Sequence, residues 1–373
     1  MKGRRTGPGS QRLAGAKRKL AENPGAMFER VVSEQELNDE CVFLGHVWRD
    51  RIFTPLVTLW TFLGQVLSAD SSCQEAVARM LSFLSRTKGL DASHDPSAYS
   101  VARQRLAEEL LARLTRLVAG KLEDKVGPDA RWHGHHVKLL DGSSVNMPDT
   151  PENQAAYPQH TTQRPGCGLP TARIVGIFSL LTGALVDLAI DALRVAETTL
   201  LRQIAHAILP GEIALADRYF CSYADIALLR RRGVQSVFRL HQSRKADFRK
   251  GKRLGRQDRL VEWHKGPRPR WMSRREFATV PDTMVVRLLR FACGIPGWRT
   301  ETVTVVTTLL DPKAYPARDL ADLCRRRWEI ETDLGHIKTT MKMDSLRTKS
   351  PEMVRKEIGS SQFSVGGFLR NGP

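Results

Sequence analysis

The feature that most narrows what this chain can fold into is a change of hydrophobic texture at Gly127-Pro128. Before it, from about Glu34 to Lys125, apolar residues recur at helical spacing. Ser72 and Glu75 form a capping-box pattern for a helix over Gln74 to Arg86. Leu106, Leu110, Leu114, Leu117 and Val118 make one apolar stripe along a helix from about Val101 to Lys125. After the boundary, β-branched runs take over. Val137 to Asp141, Ala172 to Leu181 and Ala184 to Ile190 read as strands, the last two joined at Thr182-Gly183. A helix around Ala196 to Ile208, a strand at Glu212 to Ala216, a helix at Ser222 to Arg231 and a strand at Val234 to Leu240 follow. That order specifies a mixed α/β sheet preceded by a small all-helical domain over residues 26–127.

A basic, turn-rich tract over about residues 242–300 interrupts the α/β order; it holds Trp263, Trp271 and Trp298 among many arginines, with a strand-like Met284 to Phe291. One more β-branched run, Glu301 to Leu310, precedes a helix opening at Asp319. Within it, Cys324 to Lys338 reads CRRRWEIETDLGHIK, with Gly335 its single glycine and no proline. At about 100° per residue, Cys324, Arg327 and Lys338 fall within roughly 40° of Glu331 around the axis. One face therefore carries a carboxylate between two cations, while Glu329 and Asp333 turn away from it. An ordinary amphipathic helix with an Arg327/Glu331 surface pair, worth a few tenths of a kcal/mol, would show the same pattern, so other parts of the chain must decide.

Two further acids stand out. Asp141 follows Val137, Leu139 and Leu140 and precedes Gly142, which places a carboxylate at the end of a buried strand beside a turn. Asp217 repeats the arrangement after Ile213 to Ala216. Adjacent central strands would bring the two together, with the Glu331 face closing over them. Hard oxygen ligands of this kind suit Mg²⁺ or Mn²⁺. A strand-end Asp is also a common turn or cap residue.

The 58 Lys and Arg against 40 acids give a net charge of +18, which points to a polyanionic partner, nucleic acid before membrane. The first 25 residues read as a disordered basic arm. Six cysteines without a CxxC pair suit a reduced, cytoplasmic compartment. The most apolar run, Phe53 to Leu67, contains Pro55 and Gln65 and is too short to span a membrane. Trp132-His133-Gly134-His135-His136 lacks a second ligand pair and reads as a surface edge before the first strand, not a metal site.

Asp141-Gly-Ser-Ser, the following Pro148-Asp-Thr-Pro-Glu-Asn153, Asp217-Arg-Tyr-Phe220, and Cys324, Arg327, Glu331 and Lys338 at their spacings resemble the DDE transposases of bacterial insertion sequences, in the insertion-sequence-four group. The resemblance runs from about Arg49 to Glu357. It implies a ribonuclease-H-like catalytic domain over residues 128–357, with a β-rich insertion at about 242–300. Asp141, Asp217 and Glu331 would be the catalytic, metal-binding triad, holding two Mg²⁺ or Mn²⁺ ions. Arg327, Lys338 and Arg218 would contact DNA phosphate. Trp298, Trp263 and Trp271 would be the candidates for stacking on an extruded base. The implied partners are element ends and target DNA, bound by a homodimer associated with the bacterial nucleoid, with no membrane.

Cys324 stands where the family usually has Tyr, removing a ring and hydroxyl from the signature. Residues 358–373 lose helical periodicity from Ser360 and read as a truncated or frame-shifted tail. The alternatives to a working transposase are an inactive DNA-binding remnant that acts as an inhibitor, and another ribonuclease-H-like nuclease.

Overall fold

The computed structural model describes residues 32–368 apart from 50, 69, 294–300 and 328–345, so Glu331, Lys338 and Trp298 lie outside the described residues. Helices come first: α1 (Glu34–Phe43), α2 (Pro55–Leu67), α3 (Cys73–Lys88), α4 (Ser97–Arg105) and α5 (Glu108–Asp124). Their starts are set by local chemistry. Ser33 and Glu36 cap α1 reciprocally, Thr54 accepts from the Val57 N–H ahead of Pro55, and Ser72 accepts from the Glu75 N–H. Gly89 ends α3 at φ 65°, a left-handed conformation that costs glycine nothing.

The one helix expected over Val101 to Lys125 is two. The chain is extended at Ala107, with ψ 140°, and α5 restarts with Glu108 and Glu109 in its first turn, where negative charge suits the helix dipole. Leu106, Leu110, Leu114 and Val118 are all buried, so the apolar stripe runs on across the break and periodicity cannot reveal it.

Nine strands among the described residues form one sheet: β1 (Val137–Asn146), β2 (Thr171–Ser179), β3 (Leu185–Ala192), β4 (Ile213–Ala216), β5 (Gln235–Arg239), β6 (Lys252–Gly255), β7 (Asp258–His264), β8 (Thr283–Cys293) and β9 (Glu301–Thr307). Their order is β3-β2-β1-β4-β5-β9-β8-β7-β6. Strands β1 to β3 pair antiparallel, β1, β4 and β5 parallel, and β9 returns antiparallel on β5. The tract expected as an interruption thus extends the sheet. Helices α6 (Pro151–Ala156), α7 (Glu197–Ile204), α8 (Tyr223–Arg231) and α9 (Arg274–Ala278) occupy the connections. The helix expected from Asp319 begins two residues earlier, as α10 (residues 317–327).

Period-two alternation gives the sheet two apolar faces. Val137, Ile213, Leu215, Val237, Val303 and Val305 lie on one, beneath Leu320 and Leu323 of α10. Leu140, Ala214, Ala216, Phe238, Leu288 and Val306 lie on the other, beneath α7 and α8. The result is a sheet with helices on both sides.

The N-terminal helices do not close a core by themselves. Their cluster takes in Ala184 beside β3 and Met353 of the last helix, α11 (Pro351–Phe368), which packs on α5, α2 and β3. Arg355 of α11 pairs with Glu108 at 2.7 Å, and Lys356 donates to the Gln104 carbonyl at 2.6 Å. The expectation that helical structure fails from Ser360 is corrected: α11 runs to Phe368. Val354, Ile358 and Ser360 are buried and Gly359 lies against Leu111, so the helix is anchored up to the point where periodicity fades. Tertiary packing sustains a helix that its small and polar residues would not.

Two buried ion pairs fasten the outer elements. Lys138 on β1, 2% exposed, reaches Glu123 of α5 at 2.5 Å and Glu212 at 3.2 Å. Arg287 on β8, 0% exposed, donates to both carboxylate oxygens of Asp258 at 2.9 and 2.6 Å, and to the Tyr315 carbonyl at 2.6 Å.

Candidate active site

The parallel ladder between β1 and β4 ends at Leu140 opposite Ala216. Asp141 and Asp217 each follow by one residue, so the two carboxylates are neighbours on adjacent central strands. Asp141 does not end its strand, as expected from Gly142; β1 continues to Asn146 because β2 pairs along its whole length, with Asp141 opposite Gly176. The apparent turn signal has another cause. A Cβ on Gly142 would lie 2.6 to 2.9 Å from the carboxyl atoms of Glu197. Glycine is what admits Glu197, the first residue of α7, against β1.

By alternation, Asp141 and Asp217 share the sheet face of Leu139 and Leu215, the face that α10 covers. Gly142 and Glu197 belong to the other face. Glu197 is half-buried, and burial pushes its carboxyl above the usual range; Arg173 opposes that shift, and the charges of Asp141 and Asp217 add to it. Asp217 is itself held in place: its side chain accepts from the Arg218 N–H at the start of a 3-10 turn over Arg218–Phe220.

Arg327 on α10 is 6% exposed and lines a small cleft with Leu215, Ala216, Arg239, Val303, Val305 and Cys324. It therefore sits at the end of β4 that leads into Asp217. Cys324, one turn earlier, packs against the same apolar face, where a larger Tyr would need more room. Arg218 is half-buried, with its guanidinium 5.4 Å from the Tyr219 ring centroid.

The tryptophans divide. Trp263 is 9% exposed in the core beneath α8, with Arg244 4.4 Å over its ring, so it offers no face for a base. Trp271 is 42% exposed, but Arg202 lies 3.6 Å over its ring while forking onto Asp225. Trp298 lies outside the described residues.

Among the described residues, no three His, Cys, Asp or Glu side chains are grouped to hold a metal ion. Asp141 and Asp217 supply two hard oxygen donors, which fit a divalent cation. Sequence reasoning missed Glu197 because its nearness to Asp141 is tertiary; the signal was a glycine inside what is otherwise a strand pattern.

Asp141 lies within β1, one residue past its parallel pairing, and Asp217 directly follows β4; a comparison of the chain with family models identifies the class. The model described as Transposase DDE domain matches residues 132–364, well over half of the chain, and the protein belongs to that family. A curated relative, the transposase InsG for insertion sequence element IS4 of Escherichia coli (strain K12), is 26% identical over 302 residues, covering 80% of this chain and 65% of that protein. The chain thus spans just under two thirds of that relative's length. Both findings agree with the resemblance carried by the Asp141, Asp217 and Arg327 motifs. Among the described residues, no helix is long and apolar enough to cross a membrane.

One consequence concerns Glu197 alone. A carboxyl raised above its unfolded value of 4.5 makes its ionised form a cost to the fold, present as pH rises through that range and absent below it. Glu197→Gln should therefore raise the melting temperature of the metal-free chain at pH 8 and leave it unchanged near pH 4. Variant and unaltered chain melting together at both pH values would show that the buried Glu197 carboxylate imposes no such cost.

Proposed function

We propose that the chain is a transposase that binds insertion-sequence ends, cleaves them with divalent metal, and joins the 3′-hydroxyl ends to target DNA. The observation that carries this reading is the placement of Asp141 and Asp217 one residue beyond the last parallel pair, Leu140 and Ala216. The order β3-β2-β1-β4-β5, antiparallel then parallel, supports a ribonuclease-H-like catalytic core, with residues 242–300 as its insertion. The curated relative's name supports an element end as substrate.

In this reading Asp141, Asp217 and Glu331 hold two ions, Mg²⁺ or Mn²⁺. Bound there, the ions supply activation of the attacking hydroxyl or water and stabilisation of the leaving oxygen. The chain's own residues position the strand. Arg327, Arg218 and Lys338 contact its phosphates, and Trp298 is the remaining candidate for holding an extruded base. The helices before Gly127, with the basic first 25 residues, contact the element end, and a homodimer pairs two ends in the nucleoid.

The test is to incubate the chain with Mg²⁺, target plasmid and DNA carrying the inverted repeats that flank its reading frame. Joined products support the reading. Cleavage without joining would make the chain a nuclease, and binding without cleavage an inactive relative.

Arg327 gives a finer test. Arg327→Ala should slow cleavage by on the order of a hundredfold, and Arg327→Lys by less, because an ammonium keeps the charge but loses the two-pronged grip on phosphate. Equal losses would assign the effect to fork geometry. Unchanged rates in both would remove Arg327 from phosphate contact, and thermal melts separate a folding defect from a catalytic one.

A further inference from the structure

The chain between α1 and α2 and the stretch leading into and through α4 enclose an open cleft of about 810 Å³. Its composition is unlike that of the apolar cores. On one wall the rings of His46 and Trp48 stack, with centroids 6.2 Å apart and planes 23° from parallel. Behind them Phe53 lies against buried Tyr99 at 5.5 Å, which fixes the floor. Around the cleft stand Arg49, Arg51 and Arg105, all exposed. Among the described lining residues one acid faces this charge: Asp95, which already accepts from Ser97 N and Oγ at 2.8 and 2.7 Å. Burial and the nearby Arg105 charge lower the His46 pKa, which favours the neutral ring.

Aromatic planes and arginines in alternation recognise one chemistry well. A nucleobase of any sequence can lie on the rings, while guanidinium groups at the rim meet the flanking phosphates. The volume accommodates a nucleotide, within the ordinary range for ligand clefts. An apolar protein segment would have to strip water from three arginines to enter, which disfavours that occupant.

We infer that this cleft binds an unpaired nucleotide of a DNA strand, its base against Trp48 and His46 and its phosphates on Arg49, Arg51 and Arg105. The inference rests on the reading that the helices before Gly127 touch the element end, and it assigns that contact to a specific surface distant in sequence from Asp141 and Asp217.

The experiment uses the full chain and a short single-stranded oligonucleotide carrying 2-aminopurine, with duplex DNA measured in parallel. Trp48→Ala should weaken oligonucleotide binding about tenfold and abolish the fluorescence change on binding, with the melting temperature retained. Arg49→Ala with Arg51→Ala should reduce the slope of log affinity against log salt by about 1.4, the value for two single-strand phosphates. Val101→Glu, at an exposed position of the cleft, should also weaken binding by placing a negative charge beside the phosphates. If all three variants bind the oligonucleotide as the unaltered chain does, the cleft assignment falls while the transposase reading stands. If the unaltered chain binds neither DNA, the parent reading falls with it. A change in oligomeric state in Val101→Glu, without a change in DNA binding, would make the cleft a protein-protein surface and overturn the proposal.

Discussion

Asp141→Asn or Asp217→Asn should abolish DNA cleavage, a fall of on the order of a thousandfold or more, because each removes a charged oxygen donor without changing shape. Asparagine keeps an acceptor oxygen for the Arg218 N–H, so the 3-10 turn after β4 survives. Binding of intact DNA should be unchanged or tighter, since a carboxylate beside a phosphate repels it until a cation arrives. Nicking of end-labelled DNA and a gel-shift titration read the two effects separately. Cleavage retained in either variant removes that residue from the site; loss of binding together with cleavage would point to a folding defect, which a melt would show.

The largest effect on stability should come from Arg287→Ala. The guanidinium is fully buried and forks onto Asp258, itself 6% exposed, while its third contact is the Tyr315 carbonyl. Truncation leaves a carboxylate buried without a partner, a defect costing about 3–5 kcal/mol. Chemical denaturation should show that loss, and Arg287→Leu with Asp258→Leu should lose much less, because removing both charges removes the desolvation problem. A single variant as stable as the unaltered chain would mean that water reaches Asp258. Tyr315 links this pair to the candidate site: its ring stacks on Trp132 at 5.8 Å, its hydroxyl meets His135 at 2.8 Å, and α10 begins two residues later.

The sequence made the central strands legible because their burial on both faces demands continuous β-branched and apolar runs, as in Ile213 to Ala216 and Val234 to Leu240. It also named Asp141 and Asp217 as acids that would converge if their strands were adjacent, a condition that the β1–β4 ladder meets. What it hid depends on contacts between distant segments. Gly142 looked like a turn because its real neighbour, Glu197, arrives from a helix that only the fold brings near. Arg287 and Asp258 lie in what reads as a basic, turn-rich tract, where nothing local announces that β7 and β8 pair with these residues inside. Helix α11 is anchored on α5 by contacts of its residues up to Ser360, which come from a distant segment and are not advertised locally.

The nine-strand sheet has a mechanical consequence. Because β9 is hydrogen-bonded to β5 on one side and β8 on the other, the tract that follows β5 shares one continuous lattice with the strands that carry Asp141 and Asp217. A hinge there would require breaking a full ladder, so the outer strands can move relative to the acids only by winding or unwinding the sheet's twist. The span between the outer strands and the two carboxylates is then nearly fixed, and the sheet acts as a torsion spring joining them.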